Sequence, residues 1–214
     1  MTKKHDIIWL ESVDSTNNEA LRRIQSLDNL SVLATLSQTE GRGQRGNSWL
    51  SSPGENLTFS VVLKYNGQSM PAKDQISISA ITAISITDLL KEYEISAKIK
   101  WPNDIYVEEN KICGILIENA IQAGWLAHSI IGIGLNINQK NFDVSIPNPT
   151  SIAICKGQNQ TLDIVECLDK FMDILKRNLH LLDEDRDYTK IHDIYMSRLR
   201  QNSPIEEISL AWQQ

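Results

Sequence analysis

Four segments of the 214-residue chain gather side chains suited to anions and polar rings. The first, Gly41-Arg42-Gly43-Gln44-Arg45-Gly46-Asn47-Ser48-Trp49, interleaves glycine with arginine and closes on tryptophan. Glycine lets the backbone turn tightly and expose N–H groups, which suits phosphate. Guanidinium forks match phosphate or carboxylate oxygens, and the indole offers a face to a nucleobase. The same composition also fits a flexible surface hairpin with solubilising arginines. It is not a Walker A loop, because Gly-Lys-Ser/Thr is missing, and it is not a dinucleotide fingerprint opening a helix. The second segment is Lys100-Trp101-Pro102-Asn103-Asp104, followed by Lys111 to Glu118. Asp104 and Lys111 flank a short hairpin, which places them on neighbouring strands, as a partly buried charged pair in a pocket or as a rim salt bridge.

The third segment, Ile131-Gly132-Ile133-Gly134-Leu135-Asn136, puts glycines inside a strand, where a ligand or another backbone comes close or the strand bulges. The fourth, Asp14-Ser15-Thr16-Asn17, has helix-cap chemistry, and a cap can also hold a ligand's polar edge. Six of the 10 glycines lie in these segments, beside Arg42, Arg45 and Lys111. Cations beside glycine-rich turns in an otherwise acidic chain point to a small anionic ligand.

The elements that must hold these segments follow from periodicity. Strands are expected at Ile7 to Leu10, Ser31 to Ser37, Leu57 to Lys64, Ile99 to Trp101, Asp104 to Val107, Lys111 to Asn119 and Trp125 to Asn136. A helix is expected from Asn17 to Ser26, burying Ala20, Leu21 and Ile24, with Thr16 and Glu19 at capping-box spacing. Further helices are expected over Lys73 to Tyr93, Leu162 to Leu182 and Tyr188 to Arg200. Residues 38–55 read as a long loop in which the glycines leave few contacts. Clustered strands predict an α+β fold, a mixed or antiparallel sheet with packed helices. No linker splits the chain, so residues 1–200 are expected as one catalytic domain and 201–214 as a short C-terminal tail.

Composition narrows the function classes. Lys plus Arg total 21 against 27 Asp plus Glu, a net charge of −6, which disfavours a nonspecific nucleic-acid binder. The three cysteines, Cys113, Cys155 and Cys167, form no C-x-x-C pair and fit a reducing compartment. The four histidines are scattered, so no protein-held metal is expected. The start, Met1 to Asp6, leads into no signal-peptide core, and the apolar stretch from Ile76 to Leu90 is too broken to span a bilayer. These features predict a cytoplasmic protein.

The four segments together resemble the biotin–protein ligase catalytic domain, the biotin–[acetyl-CoA-carboxylase] ligase family. The matching residues are Asp14-Ser15-Thr16-Asn17, Gln38, Gly41-Arg42-Gly43-Gln44-Arg45-Gly46 with Trp49, Lys100-Trp101-Pro102-Asn103-Asp104, Lys111 with Gly114, and Gly132-Ile133-Gly134-Leu135-Asn136. The resemblance runs from about Ile8 to Ser151. It implies the biotin/lipoate ligase fold, related to class II aminoacyl-tRNA synthetase catalytic domains. It also implies the reaction: biotin and ATP give biotinyl-5′-AMP and pyrophosphate, then a lysine of a biotin carboxyl carrier protein domain takes the biotin. ATP, biotin and Mg²⁺ are the implied small molecules.

The resemblance assigns Lys111, Arg42 and Asp104 to catalysis. It assigns Ser15, Thr16, Asn17, Gln38, Gly41, Arg42, Lys111, Gly114, Gly132 and Gly134 to biotin. Arg42, Arg45, Trp49, Asn103, Lys111 and Asn136 fall to ATP and the adenylate, with Trp49 stacking on adenine. A family-type homodimer through the sheet edge is implied; DNA and membrane partners are not expected. The catalytic pattern begins within the first fifteen residues, so the DNA-binding domain of bifunctional members is expected to be absent, as is the family's small C-terminal β-barrel. Gln44 stands where the family is often basic, which bears on retention of the adenylate. A lipoate–protein ligase of the same fold is the nearest alternative, but its R-R-x-x-G-G-G loop is missing. A noncatalytic biotin- or nucleotide-binding module is the other.

Overall fold

The computed structural model describes residues 5–157, 161–183 and 188–213. Met1 to Lys4 and Gln214, at the ends of the expected domain and tail, lie outside the described residues. Strands β1 (Ile7–Leu10), β2 (Val32–Thr35), β3 (Leu57–Lys64), β4 (Lys98–Lys100), β5 (Asp104–Val107), β6 (Asn110–Gln122) and β7 (Trp125–Leu135) form one sheet in the order β1-β2-β3-β7-β6-β5-β4. Only β1 and β2 run parallel; the other pairings are antiparallel. The mixed sheet with packed helices agrees with the α+β expectation.

Each face of the sheet is covered differently. On one face lie α2 (Gln75–Glu92), α4 (Ile164–Asp183) and α5 (Tyr188–Ser197), over a core that includes Phe59, Ile81, Leu89, Phe171 and Tyr195. Strand β3 is almost wholly buried, which its unbroken run Val61-Val62-Leu63 foreshadows. Helix α2 has hydroxyl residues inside this core. Thr82 and Ser85 satisfy themselves by donating to the Ile78 and Ile81 carbonyls at 2.8 and 2.7 Å. These bonds offset the cost of burying the hydroxyls, and packing on the sheet holds a helix of mediocre propensity.

The opposite face carries α1 (Thr16–Arg22) over a smaller cluster of Ala20, Leu27, Leu33, Val62 and Ile130. The helix is shorter than expected, and Leu21 is 55% exposed instead of buried. The expected capping box does not form. The Glu19 N–H donates to the Ser15 carbonyl, and the Glu19 carboxylate accepts from Arg22 and Arg23. Two arginines within reach outcompete a single backbone N–H for that carboxylate. Because α1 is short, it leaves the sheet floor beyond its N-terminus open.

Two short α-helices were not anticipated. Helix α3 (Ile152–Lys156) is capped by Ser151, whose hydroxyl accepts from the Ile154 N–H at 3.2 Å. The expected tail holds α6 (Ile205–Gln213), with Ile208 buried and Trp212 against the core. Its Glu207 accepts from the Trp101 indole N–H at 3.3 Å. Among the described residues, no helix is long and apolar enough to cross a membrane.

Candidate active site

The floor of the site is made by small residues in cross-strand register. Gly134 pairs with Thr58 on β3 and with Gly114 on β6; Gly132 pairs with Ser60 and with Leu116. Missing side chains at three positions leave a shallow trough on the α1 face. It is filled partly from above. The Trp49 indole lies on Gly114 and Gly134, so a Cβ at Gly114 would stand 2.9 Å from the indole Cζ3. At Gly132 the added atom would run into the Asn17 amide. These glycines therefore serve close approach of a side chain, and their backbone needs no unusual φ.

A cavity of about 260 Å³ opens between this floor, the N-terminus of α1 and the loop carrying Trp49. Its inner end is polar. Ser15, Thr16 and Asn17 are buried there, and burial of polar groups demands partners. The Gln38 amide oxygen accepts from the Thr16 N–H at 2.9 Å. The Ser60 hydroxyl lies 2.8 Å from Thr16 Oγ1 and 2.6 Å from Asn17 Oδ1. Asn17 Nδ2 donates to Glu118 at 2.8 Å and to the Leu116 carbonyl at 3.3 Å. The Ser15 hydroxyl and the Gln38 amide N–H are left without hydrogen-bond partners among the described residues, and both border the cavity.

The outer end is charged. Lys111 Nζ sits 2.7 Å from Asp104 Oδ1, the side chains being 29% and 22% exposed, and 5.6 Å from the Trp49 ring centroid. The register does not place Lys111 opposite Asp104; Lys111 pairs with Tyr106, and its long side chain reaches along the strand. The Lys111 backbone is fixed from its other side, by the Asn148 carbonyl at 2.7 Å and the Thr150 N–H at 2.9 Å. The expectation that this pair faces across the hairpin is met, in a pocket.

The glycine-arginine loop is folded back as a small hairpin. Trp49 N–H donates to the Gly41 carbonyl at 2.9 Å and Gly43 N–H to the Asn47 carbonyl at 2.7 Å. The expected scarcity of contacts is therefore corrected: glycine permits the tight backbone approach that makes these bonds. Arg42 grips Glu118 with both nitrogens, at 2.8 and 3.1 Å, and donates to Asn18 at 2.7 Å. Arg45, at φ +55°, is exposed at the cavity mouth and makes no ion pair among the described residues.

Two expected ligand contacts fall elsewhere. Gly41 supports the hairpin: its Cα faces the Trp49 carbonyl and the Gln38 amide, off the cavity wall. Asn136 is buried outside the cavity, where its amide donates to the Thr150 carbonyl at 2.9 Å and its backbone N–H to the Ile112 carbonyl at 3.0 Å. It secures the segment that clamps Lys111. Asn103 lines the cavity, yet its amide N–H is committed to the Ile115 carbonyl at 2.6 Å. The residues not anticipated are Ser60, Glu118 and Asn18. Among the described residues no cluster of three or more His, Cys, Asp or Glu could hold a metal ion.

A model of the biotin/lipoate A/B protein ligase family matches residues 9–136, the span that supplies this floor, its polar end and its charged end. The chain belongs to that family. Within it, the bifunctional ligase/repressor BirA of Escherichia coli is 32% identical over 140 residues, 65% of this chain and 43% of that protein. The biotin–[acetyl-CoA-carboxylase] ligase of Paracoccus denitrificans is 28% identical over 166 residues, 78% of this chain and 68% of that protein. Among solved structures, a biotin protein ligase from Aquifex aeolicus in complex with biotin and ATP is similar, with a TM-score of 0.78 and 29% identity over 92% of this chain and 79% of that one. This ligase-family chain covers 43% and 55% of two BirA proteins it matches and 32% of two others.

Proposed function

We propose that the chain is an ATP-dependent biotin–protein ligase, which makes biotinyl-5′-AMP and passes biotin to a lysine of a biotin carboxyl carrier protein domain. The observation that carries this reading is one cavity with two unlike ends. One end holds uncommitted polar groups, and the other holds an ammonium on a carboxylate tether. A ureido ring needs both donors and acceptors, which Ser15 Oγ and Gln38 Nε2 are free to complement. A valeryl chain needs apolar walls, which Ile115, Ile133 and the Trp49 ring supply along the cavity.

In the first step a biotin carboxylate oxygen bonds to the α-phosphorus of ATP. The bond from that phosphorus to the bridging oxygen breaks, and pyrophosphate leaves. Lys111 has three N–H donors and gives one to Asp104, which leaves two for the carboxylate and the phosphoryl oxygens. Such a fixed cation lowers the barrier where charge builds up. Arg45 at the mouth faces the departing phosphates. In the second step a neutral lysine amine of the carrier attacks the acyl carbon, the bond to AMP breaks, and the amine proton passes to solvent. Mg²⁺ would enter on the phosphate oxygens of ATP, which suits a site without a carboxylate cluster. The proposed setting is the cytoplasm, which supplies ATP. Its three free cysteines, Cys113, Cys155 and Cys167, accord with a reducing compartment.

The test is mass spectrometry of an isolated carrier domain after incubation with the chain, ATP and biotin or lipoate. The expected result is the mass of one biotinyl group on one lysine, dependent on ATP. Lipoyl addition without biotinyl addition would overturn the reading.

A further inference from the structure

One side chain that does not line the cavity links two that do. Glu118 projects from β6 and ties two cavity residues together: its Oε2 accepts from Asn17 Nδ2 at 2.8 Å, and both its oxygens receive the Arg42 fork, at 2.8 and 3.1 Å. Asn17 is the residue whose amide rests on Gly132. Arg42 belongs to the loop that carries Trp49 and Arg45 over the cavity. The Arg42 and Glu118 side chains are 43% and 38% exposed, so this bond is open to exchange. The Asn17 amide, by contrast, is buried and bonded at both ends, to Ser60 through Oδ1 and to Glu118 through Nδ2.

We infer that Glu118 is a positioning residue with two separable roles, resting on the ligase reading above. Its carboxylate stands in for a ligand anion on Arg42, and Arg42 is released to the phosphates on binding. Its Oε2, together with the Leu116 carbonyl at 3.3 Å, also fixes which way the Asn17 amide faces, and so shapes the polar end of the cavity. A carboxylate satisfies both tasks. A carboxamide at the same place satisfies only the second, because its oxygen accepts from Asn17 but carries no charge for Arg42.

The two tasks separate in binding titrations with ATP alone and with biotin alone. In Glu118→Gln, ATP no longer competes with the stand-in, and its Kd falls by about two- to fivefold, the range of an exposed ion pair. The biotin Kd stays within twofold of the parent. In Glu118→Ala the ATP Kd falls likewise, while the biotin Kd rises by about three- to tenfold because Asn17 loses a partner. In an Arg42→Ala background, adding Glu118→Gln leaves the ATP Kd unchanged, since the competition runs through Arg42. General loss of structure would weaken both ligands together, so opposite movement separates the proposal from misfolding. An ATP Kd that is unchanged or raised in Glu118→Gln, or an equal gain with and without Arg42, would overturn the stand-in role. Parent-like biotin binding in Glu118→Ala would overturn the positioning of Asn17. If the parent chain binds both ligands but yields no biotinyl-5′-AMP, the ligase reading falls while these titrations still decide the role of Glu118.

Discussion

Replacing Lys111 by alanine separates catalysis from stability more cleanly than any other single change in this site. The Lys111–Asp104 pair is partly exposed, and pairs of that kind stabilise a fold by about 0–1 kcal/mol. The ammonium also faces the Trp49 ring at 5.6 Å, an interaction of about 0.5–1 kcal/mol at such a site. Lys111→Ala is therefore expected to lower stability by about 1 kcal/mol, a Tm shift of about 2–4 °C in a domain of this size. The reaction responds on another scale. A preorganised cation beside developing charge contributes about 3–4 kcal/mol to the transition state, so adenylate formation falls by about 100- to 1,000-fold. Asp104, left without its partner, then faces the substrate carboxylate as a like charge, which raises the biotin KM as well. Adding Asp104→Asn removes that repulsion and restores biotin binding without restoring kcat. The assay is biotin-dependent release of pyrophosphate, with thermal denaturation alongside. Pyrophosphate release within threefold of the parent would show that Lys111 is a rim residue.

Three further outcomes follow from the packing. Gly134→Ala drives a Cβ into the Trp49 indole; overpacking of about 1–3 kcal/mol is expected, relieved by displacement of the indole. Its fluorescence signature is a red shift relative to the parent, and an unshifted spectrum would contradict the contact. Asn136→Ala leaves the buried Thr150 carbonyl unpartnered, so denaturant titration should show a loss of about 1–3 kcal/mol, and because that segment clamps Lys111 the adenylation kcat falls while ATP affinity stays near the parent value; a selective loss of ATP affinity would return Asn136 to the ligand site. Burial pushes the Cys113 thiol far above its usual value and that of Cys167 up to about 11, whereas Cys155 is exposed. At pH 8 a disulfide reagent should therefore titrate one thiol quickly in the native chain and all three in denaturant, and rapid reaction of more than one would show the core to be open.

What was legible in the sequence was mostly local. The run Leu57 to Lys64 gave its strand residue for residue, and the two glycine-bearing strands joined near Gly124 were readable because apolar residues run to both sides of a turn. The Lys111–Asp104 pairing followed from two charges flanking one tight turn. Less legible were features decided by packing. Leu21 looks like part of an apolar stripe, yet α1 covers only one end of the sheet, and the stripe there needs little more than Ala20. Helix α6 does carry a start signal, Ser203 and Pro204 followed by Glu206 at capping-box spacing, but its short apolar face becomes visible only where Ile208 and Trp212 pack against elements more than ten residues earlier in the chain. Asn136 sits beside the glycines in sequence, but β7 ends at Leu135 and the backbone there turns toward the segment at Thr150.

The residues that orient the site escaped for a different reason. Ser60 meets Asn17 across 43 positions, and Glu118 meets Arg42 across 76 and Asn17 across 101. No window on the chain contains both members of such a pair. A signal was nonetheless present in each strand. Ser60, like Thr58, interrupts a strand whose other buried residues are apolar, and Glu118 ends the run Ile115-Leu116-Ile117 with a charge while its strand continues to Gln122. A hydroxyl or carboxylate in such a place must find a partner or destabilise the sheet. Once β3, β7 and β6 are set side by side, Ser60, Gly132 and Leu116 fall in one cross-strand row. The small middle residue opens space, and Asn17 enters it to bond with Ser60 and with the Leu116 carbonyl. Ligand-facing residues are thus readable from type and spacing, whereas the residues that aim them become readable only as polar interruptions whose partners the sheet register identifies.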